Sequence, residues 1–127
     1  MRGRMTAKRV LVVDDNRLIR VLVQASLKSL NLEIVEATDG QEGITAAFEC
    51  RPDLILLDVV MPRMSGFEVL TRLREDPDAP SCPIAMLTTA ASEQDHVEAR
   101  IHGADAYIVK PFDHNELRDT VADLLGV

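Results

Sequence analysis

The chain has no tryptophan, one tyrosine and three phenylalanines in 127 residues, and neither a G-x-G-x-x-G fingerprint nor a P-loop. It therefore lacks the usual ring-stacking and phosphate-cradling groups of a flavin or nucleotide binder. No apolar stretch approaches the roughly 20 residues that span a bilayer. No apolar signal core follows Arg2 and Arg4, so the expected compartment is the cytoplasm and no membrane contact is expected. Cysteine is scarce: Cys50 and Cys82 stand far apart with no C-x-x-C, which predicts idle reduced thiols rather than a disulfide. His96, His102 and His114 show no metal-ligand spacing. Basic residues are outnumbered and the net charge is −7 with dispersed acids, which disfavours direct nucleic-acid binding. The basic start (Arg2, Arg4, Lys8, Arg9) reads as a solvated tail, and Met5 is an alternative start. Residues 1–7 are expected to be a flexible tail and 8–127 a single domain, long enough for a real core.

Four short apolar runs are present, and each ends on a residue that handles phosphate. Val10-Leu11-Val12-Val13 closes on Asp14-Asp15, Leu54-Ile55-Leu56-Leu57 on Asp58, Ile84-Ala85-Met86-Leu87 on Thr88, and Ala106-Tyr107-Ile108-Val109 on Lys110-Pro111. Strand and helix signals alternate five times without a long linker or a repeat, the pattern of a parallel sheet covered on both faces. Glu33–Ala37 carries two glutamates and reads as an edge strand. Parallel strands deliver their carboxyl ends to one edge, where such sheets bind ligands. Three carboxylates, a hydroxyl and an ammonium would then form a site for a divalent cation and a phosphoryl group.

Helix starts are marked by capping chemistry at Asp39 with Glu42, Ser92 with Asp95, and Asp113 with Glu116. The first helix is predicted over Arg17–Leu30, with Ile19, Leu22, Val23, Leu27 and Leu30 as its core stripe. The third carries Val69, Leu70 and Leu73 and ends before Asp76-Pro77. The fifth carries Leu117, Val121 and Leu124. The fourth, near Glu93–His102, has only Val97 and Ile101 as large apolar residues, and a lightly buried element is one that moves.

Each site residue has a plainer explanation. Asp14-Asp15 could cap the helix that follows, although two adjacent acids at a strand end repel unless a cation is near. Asp58 could form a turn, but Pro62 excludes an immediate helix after it, and a carboxylate ending an aliphatic strand is costly unless compensated. Thr88 could be an ordinary strand residue, and Lys110 a solvated lysine. Lys110 is, however, held between an apolar run and Pro111, across a bond that proline allows to be cis.

The segments VLVVDDN (10–16), DLILLDVVMPRMSGFEVL (53–70), MLTTA (86–90) and GADAYIVKPF (103–112) together resemble the response-regulator receiver domains of two-component signalling, similar to the single-domain chemotaxis type. The resemblance runs from Lys8 to Leu125. It implies an α/β, flavodoxin-like, doubly wound five-stranded parallel sheet in the order 2-1-3-4-5, with five helices on both faces. It implies Asp58 as phosphoacceptor and Mg²⁺ as cofactor, held by Asp14, Asp15, Asp58 and the Val60 backbone carbonyl. Thr88 and Lys110 would contact phosphoryl oxygens, and Tyr107 would be the aromatic that reorients as Thr88 moves. The fourth helix, fifth strand and fifth helix would form the output face toward an unknown downstream protein, and also the face of any dimer, with a monomer as the resting expectation. The phosphodonor would be a histidine kinase or histidine phosphotransfer protein. Catalysis would be limited to the chain's own phosphorylation and dephosphorylation.

Three further expectations attach to particular residues. Leu18, Val21 and Ala25 recur at i, i+3 and i+7 on a face of the first helix away from its core stripe, and an apolar patch there fits donor docking. Thr89 is bulkier than is common in the family, while Val60 and Ala90 sit at its tuning positions for dephosphorylation. Both are apolar and cannot hold an attacking water, which predicts a long-lived phosphoryl state. An aspartyl-nucleophile phosphatase would need a second acid two residues after Asp58, where Val60 stands. A flavodoxin-like cofactor binder and a non-phosphorylated receiver-shaped scaffold also compete with a phosphorylated switch. No output domain follows Leu125, so the chain is read either as a standalone regulator or as a receiver cut from a longer one.

Overall fold

The computed structural model describes residues 7–89 and 93–127. The expectations for residues 1–6 of the tail, the Ser92 cap, and Ala90 and Ala91 lie outside them. The chain alternates β1 (Arg9–Val13), α1 (Arg17–Leu27), β2 (Glu33–Ala37), α2 (Gly40–Cys50), β3 (Leu54–Asp58), α3 (Gly66–Glu75), β4 (Ile84–Thr88), α4 (Glu93–Ile101), β5 (Ala106–Val109) and α5 (His114–Leu125). The five strands are parallel in the order β2-β1-β3-β4-β5, as the resemblance implied.

Burial follows position in the sheet. Every residue of β3 and β4 is buried, because helices cover both faces of the central strands. In β2, an edge, Glu33 and Glu36 are exposed. In β5, the opposite edge, all four residues are half-buried. Side chains alternate faces along a strand, so the core splits in two. Leu11, Val13, Ile55, Leu57 and Met86 pack with Val69, Leu70, Leu73 and Ala99 on one face. Val10, Val12, Leu54, Leu56 and Leu87 pack with Val23, Leu27, Leu117 and Val121 on the other. Each fully buried aliphatic side chain contributes about 1.5–3 kcal/mol, which fixes the strands and hence the common edge where they end.

The helix ends differ from expectation in instructive ways. The cap of α1 is Asn16, whose side chain accepts from the Leu18 N–H, so Asp14 and Asp15 are not its caps. The helix stops at Leu27 and a 3₁₀ turn, Lys28–Leu30, brings Leu30 onto the core before Asn31 takes a left-handed conformation at φ 54°. Leu22 is only half-buried and stays outside the buried cluster. Asp39 accepts from the Glu42 N–H at 2.8 Å while Glu42 accepts from the Thr38 N–H at 2.8 Å. Asp113 caps α5 through Asn115 and Glu116, and Leu125, beside the expected Leu124, completes the buried stripe of that helix. In α4, Val97 and Ile101 are 49% and 77% exposed while Ala99 is the residue that reaches the core. Among the described residues no helix is long and apolar enough to cross a membrane.

Candidate functional site

Strand register brings the polar termini together. Val13 pairs with Leu57, Asp58 with Leu87, and Thr88 with Val109, so Asp14, Asp58, Thr88 and Lys110 leave four neighbouring strands at one edge. Lys110 follows β5 directly, and the Lys110–Pro111 peptide is cis. Its ammonium lies 2.8 Å from Asp14 Oδ2 and 3.2 Å from Asp58 Oδ1. Asp14 is wholly buried, Asp58 and Thr88 nearly so, and Asp15 is exposed. One carboxylate oxygen from each of Asp14, Asp15 and Asp58 falls within 4.8 Å of the others. With Val60, Thr88 and Lys110 they line a pocket of about 180 Å³, which Asn16 and Thr89 also border.

The electrostatics are unbalanced. Burial pushes the Asp58 carboxyl up to about 6, the charge of Asp14 adds to this, and the Lys110 charge and hydrogen bond work the other way. Burial also opposes the charge on Lys110, but the Asp14 hydrogen bond and the two carboxylate charges outweigh it and hold the ammonium above its ordinary range. One ammonium thus faces three carboxylates, with an excess of negative charge in a partly dry site. An all-oxygen donor set with surplus negative charge suits a hard divalent cation such as Mg²⁺. The pocket is open, so such an ion could retain waters or take oxygens from a substrate.

The structure thus brings Asp14, Asp15, Asp58, Val60, Thr88 and Lys110 to one pocket. Tyr107 lies elsewhere: half-buried on β5, it packs on the α3 side of the core, and its ring centroid is 4.1 Å from that of His96 on α4. Leu18 and Val21 are 62% and 47% exposed on α1, and Ala25 is exposed beside them.

Two structural supports were not evident from sequence. Arg20 is almost buried, with Nη1 donating to the Asp14 backbone carbonyl at 2.6 Å and Nε to Glu36 at 2.9 Å. It ties the acidic turn to the sheet edge. Its signal was its spacing: Arg20 lies three and seven residues before Val23 and Leu27, on the buried stripe. Gly66 starts α3 against the end of β3, where an added Cβ would sit 2.1 Å from the Asp58 carbonyl oxygen. Its N–H donates to the Val59 carbonyl at 2.8 Å, so only a residue without a side chain lets α3 approach the Asp58 backbone this closely.

Residues 10–122 match the response regulator receiver domain family, and the chain belongs to it. The chain is 43% identical over 116 residues to the transcriptional regulatory protein SrrA of Staphylococcus aureus, covering 91% of this chain and 47% of that protein. It is 38% identical over 117 residues to the DNA-binding dual master transcriptional regulator RpaA of Synechocystis, covering 92% and 48%. The chain therefore spans about half the length of these curated relatives. Among solved structures, the chemotaxis response regulator CheY4 of Vibrio cholerae is 38% identical with a TM-score of 0.87, covering 94% of this chain and all of that one. The general function of the family is phosphorelay signalling.

Proposed function

We propose that this chain is a phosphorylation-dependent switch whose phosphoacceptor is Asp58. The observation that carries this reading is the Lys110 ammonium held between Asp14 and Asp58 in a pocket that Thr88 also lines. Above about pH 6 Asp58 is mostly ionised, and an ionised carboxylate is the nucleophile required. One Asp58 oxygen attacks the phosphorus of a phosphohistidine, the P–N bond breaks, and the imidazole leaves with a proton from solvent. The product is a hydrolysable acyl phosphate. Lys110 supplies positive charge to the transferring oxygens, and Thr88 supplies a hydroxyl donor.

Asp14, Asp15, Asp58 and the Val60 backbone carbonyl are the groups proposed to hold Mg²⁺. When bound, the ion offsets the repulsion between the carboxylates and the incoming phosphoryl group. Arg20 and Asn16 keep the acidic turn in place: Asn16 donates its N–H to Asp14 Oδ1 at 2.9 Å. Thr88 and Lys110 are drawn toward the new oxygens, Tyr107 reorients, and the α4, β5 and α5 face changes for a downstream protein. The donor is a histidine kinase or histidine phosphotransfer protein that docks on Leu18, Val21 and Ala25. A phosphatase is disfavoured because the position for a general acid is the apolar Val60, 70% exposed. The resting form is proposed to be a monomer, and any phosphorylated dimer would use the α4, β5 and α5 face.

Acetyl phosphate with Mg²⁺ should add one phosphoryl group to the wild type and none to Asp58→Asn, read by intact mass. Beryllofluoride with Mg²⁺ should shift amide resonances around Thr88 and Tyr107. Equal labelling of both proteins would overturn the assignment of Asp58.

A further inference from the structure

The exposed apolar stripe of α1 does not end in open solvent. Ala25, its last member, also lines a second pocket, of about 480 Å³, between α1 and α5. The rest of that lining is polar and cationic: the cations are Lys28 from the 3₁₀ turn and Arg118 from α5, with Ser26, Ser29, His114 and Asn115 between them. Among the described residues no acidic side chain lines it, although the chain as a whole carries a net charge of −7. The pocket is also braced. Ser26 hydrogen-bonds the Leu22 carbonyl at 2.8 Å, and its hydroxyl also hydrogen-bonds His114 Nδ1, which joins the two helices. Arg118 pairs with the neighbouring exposed Asp119, at 3.1 Å, a surface contact worth little and easily exchanged.

Resting on the docking role given above to Leu18, Val21 and Ala25, we propose that this pocket is the specificity end of the phosphodonor surface and takes an acidic side chain of the donor. The donor helix lays apolar residues at helical spacing along Leu18, Val21 and Ala25. About one turn further on, it presents a glutamate or aspartate to Lys28 and Arg118. Charge complementarity identifies the occupant: two cationic side chains, Lys28 and Arg118, at the end of an apolar stripe on an otherwise acidic protein attract an anionic group and steer its approach. The apolar contacts supply burial, and the pocket supplies register and choice of partner.

The test uses two donors on the same proteins. Phosphoramidate reaches Asp58 without a docking surface. A histidine kinase, chosen from a purified panel as the one that labels the wild type fastest, must dock. Lys28→Glu and Arg118→Glu should each lower the rate of transfer from the kinase by roughly tenfold at low salt, with the deficit shrinking as ionic strength rises. Both should leave labelling by phosphoramidate unchanged. Changing the matching donor acid to lysine should restore transfer to Lys28→Glu. Unchanged kinase transfer in both variants, or losses that salt does not alter, would overturn the pocket's role. Failure of phosphoramidate to label the wild type would instead overturn the phosphoacceptor reading beneath it. Circular dichroism of the two variants separates either result from misfolding.

Discussion

The charge on Asp58 should cost the metal-free protein stability, and removing it should make the protein more stable. Burial and Asp14 move the Asp58 carboxyl from 3.8 to about 6, net of the help from Lys110. That is a shift of roughly two pKa units, each equivalent to about 1.4 kcal/mol, which sets a ceiling of about 3 kcal/mol. The pocket is open beside the exposed Asp15, Val60 and Thr89, so water screens part of the effect and leaves about 1–2 kcal/mol. Asn has the same shape and can still accept from the Val60 N–H, which lies 3.4 Å from Asp58 Oδ1. Lys110 retains Asp14 at 2.8 Å. For 127 residues, an unfolding entropy of about 2.1 cal/mol/K per residue converts about 1–2 kcal/mol into a rise in Tm of about 4–8 °C.

The sign of the pH dependence follows from the raised folded-state value. Between the unfolded value of 3.8 and the folded value of about 6, the folded chain binds more protons than the unfolded one, so stability falls as pH rises through that window. Near about pH 3, below both values, wild-type Asp58 is mostly neutral in both states, and the wild type and Asp58→Asn should melt together. The gap should open between about pH 4 and 6 and stay constant above. Thermal unfolding followed by circular dichroism in EDTA, at about pH 3, 5 and 7.5, measures it. Mg²⁺ should then raise the Tm of the wild type more than that of the variant, because a ligand stabilises the form that binds it. A variant less stable than the wild type at neutral pH, or a gap that ignores pH, would refute the electrostatic account of the pocket.

Lys110→Met leaves Asp14 and Asp58 buried beside each other without their cation and should destabilise the metal-free protein by about 3 kcal/mol near neutral pH, read by urea unfolding. It should also slow labelling by acetyl phosphate at least tenfold. Gly66→Ala forces a methyl group onto the Asp58 backbone carbonyl, 2.1 Å from its ideal position, and should cost about 3 kcal/mol in the same assay. With Val60 apolar and exposed at the rim of the pocket, the acyl phosphate should be lost slowly after donor removal. Val60→Asn places an amide that can hold water there and should shorten its lifetime several-fold, and equal lifetimes would show that residue 60 does not govern access of water.

What the sequence made legible, and what it hid, follows from the range of the interactions. Strands buried on both faces must be apolar throughout, so β1, β3 and β4 announced themselves, and the polar residue after each run marked the sheet edge. The order of the strands came from the resemblance, because nothing in a single aliphatic run records its neighbour. Asp39 and Asp113 were visible as caps because capping is local. Ser65, which caps α3 through the Glu68 N–H at 3.2 Å, has the same local Ser-x-x-Glu spacing and was just as legible. Asn16 was obscured by the two acids before it. Arg20 and Gly66 were hidden for a different reason: one looks like a solvent-facing charge and the other like a loop residue, and only the approach of α1 and α3 to the acidic strand ends gives them work.

The distribution of burial says which part of this fold can answer the pocket. β3 and β4 are buried along their whole length, and moving them would open voids in a close-packed core. β5 is half-buried, and α4 reaches the core through Ala99 while Val97 and Ile101 face outward. The least costly response to a displaced Thr88 or Lys110 therefore runs through β5 and α4, where the rings of Tyr107 and His96 meet. An aromatic pair of this kind is worth about 1 kcal/mol. Charge-assisted hydrogen bonds from Thr88 and Lys110 to a phosphoryl group contribute about 1.5–3 kcal/mol each, and inverting a two-state population from roughly 1:99 to 99:1 takes about 5.5 kcal/mol. Two such bonds approach that figure, so the phosphoryl group proposed on Asp58 would have the energy to repack the α4 edge and not enough to disturb the sheet beneath it.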